Sequence, residues 1–437
     1  MKTPGKINLV TLGCAKNVVD SERLKMQMRF NNLEIVENAK DADTIVINTC
    51  GFIEDAKQES INTILEAVKR KGEKKLSNVI VSGCLSARYK EDLEKEIPEV
   101  DFYFGSEEYD KILKELGGDL KYELLGEREL STPKHFAYLK ISEGCDNPCS
   151  FCAIPLMRGS HKSRPMESLL TEAGSLASKG VKELIIIGQD TTDYGNDIYG
   201  KRNIAELLRN ISEIDGIEWI RLLYAYPSHF PDELIDEIAN NPKIIKYLDM
   251  PLQHISDDVL KSMRRRISSR RTKELYYKIK ERIPEITLRT TFIVGYPNET
   301  DESFTELCDF VKDIEFERLG VFTYSPEDAT PSFLLGDPVD AEIKEERKAE
   351  LMEIQREISE KKNQKLIGQK IKVLIDQLEG EFYIGRSKRD APEVDGEVLI
   401  NKNEGNFQIG HFYIVEIFDS NDYDLFGKSP INNGGNK

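Results

Sequence analysis

Three cysteines stand within eight residues at Cys145, Cys149 and Cys152, spaced C-x3-C-x2-C directly after a run that reads as a β-strand, Ala137–Ile141. Three thiolates on one short loop can converge on one face and ligate three irons of a [4Fe–4S] cube, leaving the fourth iron open to another ligand. A structural zinc site is the alternative, but zinc usually takes four protein ligands with paired spacing. His135 and His161 are the nearest candidates for a fourth ligand, and neither makes a paired motif with the cysteines. The ligand count favours the cluster.

Three further cysteines, Cys14, Cys50 and Cys84, each end a short β-branched run: INLVTLGC, DTIVINTC and NVIVSGC. In an open parallel sheet, residues just past the carboxyl ends of the strands line a common edge. The three thiols can therefore meet despite lying far apart in sequence. A lone buried cysteine usually packs as a small hydrophobe, but three in the same structural position favour a second cluster. Cys308, in the helical pattern SFTELCDFVKDI, reads as core.

The elements that position these residues follow from periodicity. Ile7–Leu12, Thr44–Asn48 and Asn78–Ser82 read as buried strands, alternating with helical stretches at Asp20–Phe30, Ile53–Arg70 and Ala87–Glu96. That rhythm predicts a parallel sheet with crossover helices. A break near 127–134, with Ser131-Thr132-Pro133, reads as a linker. Six further βα-like units follow, with strands at Ala137–Ile141, Glu183–Ile187, Trp219–Leu223, Tyr247–Met250, Thr287–Val294 and Arg318–Phe322, enough for a partial barrel. Ala341–Leu366 reads as a long solvated helix, and short runs after Gly368 (Lys370–Leu374, Phe382–Arg386, Glu397–Ile400, Phe412–Phe418) as a small β-barrel. The fold class is α/β, with expected domains at 1–130, 134–366 and 367–432.

Composition narrows the function. The chain has 437 residues, 39% hydrophobic and 32% charged, with a formal net charge of −17, a globular composition. No run approaches the roughly 20 apolar residues of a membrane helix, and seven cysteines are too few and too odd in number for a disulfide scaffold. The stretch before Cys14 is too short and too polar for a signal peptide, so a cytoplasmic protein is expected. A net-acidic chain has no generic grip on nucleic acid.

C-x3-C-x2-C with Phe151 before the third cysteine, opening a (βα)-repeat domain, resembles the radical S-adenosylmethionine (SAM) superfamily. The resemblance implies that the open iron chelates SAM and that electron transfer cleaves it to methionine and a 5′-deoxyadenosyl radical. It assigns Gly188, Gln189 and Asp190, at a strand end, to the place where that superfamily binds the methionine amino group. Arg289 is a candidate for the methionine carboxylate, and Gly295 for backbone approach to the adenosyl group. Asp190 as a turn-capping aspartate, Arg289 as a structural ion pair and Gly295 as a plain turn glycine remain alternative readings.

With the three spaced cysteines before it and the small barrel after it, the chain resembles the methylthiotransferases over nearly its whole length. TLGCAKNVVDSE, NTCGFI and SGC look like the family's auxiliary-cluster domain, and the segment from Gly368 like its five-stranded TRAM barrel. The resemblance implies two [4Fe–4S] clusters plus SAM as cofactors. Cys14, Cys50 and Cys84 would hold the cluster that delivers sulfur. PLMRGSHKSRP, IIIGQDTTDYG, RLLYAYP, DMPLQHISDDVLKSMRRR, RTTFIVGYPNET and, in the barrel, DAPEVDG resemble the branch that modifies an aspartate of small-subunit ribosomal protein S-twelve. The other branch modifies a tRNA adenosine. From Gly368 to Asn432 the chain holds 7 Lys and Arg against 12 Asp and Glu, an acidic barrel suited to a basic protein and awkward for tRNA. Expected partners are therefore that ribosomal protein or the small subunit, and a reductant such as flavodoxin or ferredoxin. The basic run Arg264-Arg265-Arg266 with Arg270 and Arg271 opposes this trend; such a run is more often a solvated helix face than a contact to RNA or a carboxylate.

Overall fold

The computed structural model describes residues 5–122 and 126–430. The first unit is a parallel sheet of Ile7–Thr11, Thr44–Thr49, Asn78–Gly83 and Phe102–Tyr103 in chain order. Every residue of Thr44–Thr49 is buried, because alternate side chains enter opposite cores. Ile45 and Ile47 pack with Ile64 and Ala67 of the helix Glu54–Gly72. Val46 and Ile80 pack with Leu24 and Met28 of the helix Ala15–Phe30. The strand Phe102–Tyr103, only two residues long, had no periodic signal to announce it.

The second unit is a six-stranded, all-parallel sheet. Phe136–Lys140, Glu183–Ile187, Trp219–Leu222, Ile244–Asp249, Thr287–Val294 and Arg318–Thr323 lie side by side in chain order, and the outermost two do not pair. This is the open (βα)6 barrel expected from the sequence. Its outer face buries the largest apolar core against the helices, among them Asp301–Ile314, where Cys308 is buried as expected. The inner face is closed by the other two units: Val19 of the first helix and Leu374 and Ala391 of the C-terminal unit pack onto Tyr138, Ile185, Trp219 and Tyr247.

The third unit is a closed five-stranded barrel of Lys370–Glu379, Phe382–Ser387, Val398–Asn401, Leu425–Lys428 and Phe412–Ser420. The four strands read from the sequence are present, and Leu425–Lys428 closes the ring by pairing parallel to Val398–Asn401.

Three expectations need correction. The helix Ala341–Gln364 is not solvated all round; it buries a stripe of Lys344, Arg347, Leu351, Gln355, Ile358 and Asn363. Four of these six are polar, so their spacing carried no apolar signal. The supposed linker is held tightly. Arg128, 1% exposed, pairs with Glu22 and Glu172 at 2.9 and 3.0 Å, and Ser131 donates through its backbone N and its Oγ to Glu22. Finally, the barrel's acidity is partly internal. Asp376 pairs with His135 and Arg386, Asp390 with Arg318, and Asp395 with Arg289. The DAPEVDG segment thus plugs the open sheet, and its Asp390 and Asp395 are turned inward onto arginines of that sheet. Among the described residues no helix is long and apolar enough to cross a membrane.

Candidate active site

The Cys145 loop leaves the first strand of the open sheet and is closed at its base by a two-residue ribbon, Ser142–Glu143 against Lys162–Ser163. Gly144 has φ +70°, and a Cβ there would lie 2.1 Å from Ser160 O, so only glycine fits. Backbone bonds from Ser150 N to Met263 O (3.0 Å) and from Ser332 N to Ser150 O (2.8 Å) anchor the far side. Each of two sulfurs has a donor nearby. Asn147 Nδ2 lies 3.4 Å from Cys145 Sγ and 2.7 Å from Asp190 Oδ2. Arg265 Nη1 donates to Cys149 Sγ at 3.2 Å, and Tyr226 Oη lies 3.7 Å from the same sulfur. Burial pushes the Cys145 thiol up to about 11 and Cys152 to about 12. Without iron these thiols hold their protons, which metal binding must displace. Phe151 packs with Val259, Met263, Tyr296 and Tyr324.

The second triplet assembles at the carboxyl ends of the first unit's strands. Cys14 is the N-cap of the helix Ala15–Phe30, Cys50 follows Thr44–Thr49, and Cys84 opens the helix Cys84–Glu96. Gly13, at φ +88°, passes so close that a Cβ would sit 2.6 Å from that of Cys50. Asn17 Nδ2 bonds Leu12 O at 2.7 Å and Thr49 O at 3.0 Å, tying together the strand ends before Cys14 and Cys50. Burial raises the Cys84 thiol to about 11, with Arg158 pulling it down and Cys14 and Cys50 adding like charge.

A single short helix joins the two triplets. Ile154–Arg158 begins two residues after Cys152, and Ala153 and Met157 pack against Cys84. Arg158 at its end donates through Nε to Cys84 Sγ at 3.2 Å and through Nη1 to Asp20 at 2.7 Å and Glu143 at 3.1 Å, with Nη2 on Asn17. Lys140 completes this buried group by bonding Asp20 and Glu143. Burial works to raise the Asp20 carboxyl, yet Lys140 and Arg158 bring it down to about 2.

The residues expected to contact SAM fall at the mouth of the same sheet. Gln189 Nε2 donates to Glu143 at 2.7 Å. Asp190 accepts from Thr192 N at 2.9 Å and Thr192 Oγ1 at 2.6 Å, a turn geometry that also steadies Asn147. A Cβ on Gly188 would lie 2.7 Å from Ser142 Oγ. Arg289 is engaged by Asp249 at 2.9 Å and Asp395 at 3.4 Å. Gly295, φ +73°, lies against the stem of Lys344, while its N donates to Glu299. Gly188–Asp190 thus adjoin the Cys145 loop, whereas Arg289 and Gly295 have partners of their own. His135 binds Asp376 and His161 lies 3.0 Å from Ser163 Oγ, so neither imidazole is spent on the cysteines.

The donor chemistry suits iron–sulfur clusters, since each triplet offers three soft thiols; among the described residues no group of three Cys, His, Asp or Glu is placed to hold a metal ion. Among the described residues Ser142 Oγ and Gln189 Oε1 are buried without a hydrogen-bond partner, polar atoms beside the loop that a bound zwitterion would satisfy.

Comparison with known proteins agrees. Family models match at residues 6–105 (uncharacterized protein family UPF0004), 139–311 (radical SAM superfamily) and 367–429 (TRAM domain). A ribosomal protein uS12 methylthiotransferase RimO from Christiangramia forsetii is 53% identical over 98% of this chain and 94% of its own. Its counterpart from Chloroherpeton thalassium is 54% identical over 97% and 98%.

The chain belongs to the uS12 methylthiotransferase family.

It is therefore an enzyme of the radical SAM class, a class that uses SAM and a [4Fe–4S] cluster. The radical SAM methyltransferase TsrM of Kitasatospora setae shares the fold, with a TM-score of 0.55 at 14% identity over 75% of this chain and 77% of that one. Sequence reading missed the residues that surround the sulfurs in this family member: Asn17, Asn147, Arg158, Tyr226 and Arg265. Arg158 and Asn147 lie within or just beyond the cysteine motif, so a search for polar residues flanking it would have found them. Arg265 was hidden in a basic run, and that run is not a solvated face throughout. Arg265 is buried, 4% exposed, while Arg264 and Arg266 point outward.

Proposed function

We propose that this enzyme replaces one hydrogen on the β-carbon of an aspartate in small-subunit ribosomal protein uS12 with a methylthio group. The observation that carries the reading is the pair of cysteine triplets bridged by the helix Ile154–Arg158, in a chain about half identical to uS12 methylthiotransferases along nearly its full length.

Cys145, Cys149 and Cys152 would hold one [4Fe–4S] cluster, and Cys14, Cys50 and Cys84 a second that delivers the sulfur. When bound, the first supplies reductive cleavage of SAM to a carbon-centred radical. The chain's own work is positioning. Gly188, Gln189 and Asp190 border the SAM site, with Ser142 Oγ and Gln189 Oε1 as its unsatisfied polar atoms; Phe151, Arg289 and Gly295 complete the proposed set. Arg158 and Asn17 fix Cys84 and the ends of two strands. Val19 and Ala391 pack the inner face of the open sheet and keep water from its interior.

The test is an anaerobic incubation of the cluster-reconstituted enzyme with reductant and SAM, with uS12 and an unmodified tRNA competing. Mass spectrometry should find one methylthio group in place of one hydrogen on the uS12 aspartate. Gain on tRNA alone would move the chain's activity to the nucleic-acid branch.

A further inference from the structure

We propose that an acidic one-electron carrier protein docks on Arg264, Arg266 and Arg271 and delivers its electron beside Cys149. The inference rests on the assignment of a radical-generating cluster to Cys145, Cys149 and Cys152, and identifies where the reductant of that site binds.

The segment 264–271 reads Arg-Arg-Arg-Ile-Ser-Ser-Arg-Arg, five cations and no acid in a chain of net charge −17. Arg270 has a carboxylate partner, Glu274 at 3.6 Å. Arg264, Arg266 and Arg271 are exposed, and among the described residues none of the three guanidinium groups has a carboxylate partner. Elsewhere many arginines are in ion pairs, Arg158, Arg221, Arg289, Arg318, Arg347 and Arg386 among them. Arg70 and Arg389 also lack a carboxylate partner but are only half-exposed, so among the described residues the exposed unpaired arginines cluster in this segment.

Its position is specific. Arg264 and Arg266 adopt φ +56° and +55°, and the residue between them, Arg265, turns inward onto Cys149 Sγ at 3.2 Å. Tyr226 Oη donates to Arg265 O at 2.9 Å and Ser228 Oγ to Arg266 O at 3.1 Å, so the turn is clamped from the neighbouring strand end. A recess of about 120 Å³ lies beside it, lined in part by Ser228, His229, Phe230, Arg266 and Arg271. The surface patch is thus one residue away, on each side, from the side chain that touches a cluster ligand.

The chemistry selects the occupant. SAM cleavage consumes one electron that the chain cannot make, so a carrier must be oxidised by one electron at each turnover. No bond in the chain forms or breaks and no proton is required. An acidic carrier is repelled by most of a chain carrying −17 and is drawn to this cluster of exposed arginines. RNA is the less suited occupant. Nucleic-acid affinity is built up phosphate by phosphate through counterion release, and three arginines offer few such contacts.

The test compares two reductants on the full-length, cluster-reconstituted enzyme carrying Arg264→Glu, Arg266→Glu and Arg271→Glu. With a reduced acidic flavodoxin, SAM cleavage should slow by about tenfold or more and lose its dependence on salt. With dithionite the rate should stay within about twofold of the parent enzyme. A companion variant with lysine at all three positions should keep most of the flavodoxin-driven rate, since charge and not shape is being tested. An unchanged flavodoxin rate in the glutamate variant overturns the proposal. So does an equal loss with both reductants, which would make the arginines supports of the fold. Weakened binding to small ribosomal subunits with normal flavodoxin kinetics would also overturn it and assign the patch to RNA. Failure of the parent enzyme to cleave SAM with dithionite would instead strike the radical SAM reading itself.

Discussion

The two cysteine triplets place a buried guanidinium at the same 3.2 Å from one sulfur, Arg265 on Cys149 and Arg158 on Cys84, yet in opposite electrostatic settings. Arg158 is balanced: Asp20 and Glu143 take its charge and that of Lys140. Among the described residues Arg265 has no carboxylate partner; Pro251 O and the Tyr226 ring, 4.3 Å away, are its company. A buried cation without an anion is costly unless something negative completes the site, and a thiolate-bound cluster is such a group. The surroundings of Cys149 therefore suit added negative charge, whereas those of Cys84 are held at local neutrality, a contrast in keeping with the proposed division into a reduced cluster and a sulfur-delivering one.

The largest test of that contrast removes one sulfur from each. Cys149→Ala should abolish SAM cleavage. Cys50→Ala should abolish methylthio transfer and leave cleavage intact, each variant losing about four irons per chain by metal analysis. Normal transfer by Cys50→Ala would break the division of labour.

Next in size is Arg158→Ala, which strands two buried carboxylates with only Lys140. Loss of one partner from a buried ion group costs about 3–5 kcal/mol, read as a lower denaturation midpoint. Adding Asp20→Asn should recover part of the loss, because the two sites are coupled; strict additivity of the two would show that Arg158 acts alone. A smaller change comes from Arg265→Gln. Removing an uncompensated cation should make the radical cluster's potential more negative by on the order of 50–100 mV. Arg158→Lys should leave that potential nearly unmoved in spectroelectrochemical titration. The smallest effect belongs to Cys308→Ala, a buried cysteine in neither triplet. Iron content and activity should hold, with about 1 kcal/mol of stability lost to the small cavity.

Much of this arrangement was present in the sequence, for a physical reason. The loop Cys145–Cys152 is local, so spacing alone brings its thiols together, and β-branched runs bounded by turns place the strands of both sheets to within a few residues. Cys14, Cys50 and Cys84 were legible because parallel strands bring all their carboxyl ends to one edge. A glycine before each of Cys14 and Cys84, in the left-handed region at φ +88° and +99°, marks how tightly the chain turns there. The two-residue strand Phe102–Tyr103 and the polar buried stripe of Ala341–Gln364 were not legible, since their partners rather than their own periodicity hold them.

Tertiary structure alone decided which charges are spent. Nothing in the order of residues distinguishes Arg265 from Arg264 and Arg266, but the backbone turn sends one to a sulfur and two to solvent. Nor does the acidity of the barrel reveal that Asp376, Asp390 and Asp395 face inward to arginines and a histidine. Composition and local spacing place the cysteine motifs and the strands. The environment of a charge depends on groups brought near it from distant parts of the chain, and in a low-dielectric interior those neighbours set its energy. That is why the cysteines could be placed at their loop and strand ends from their order, and the surroundings of the arginines beside them could not.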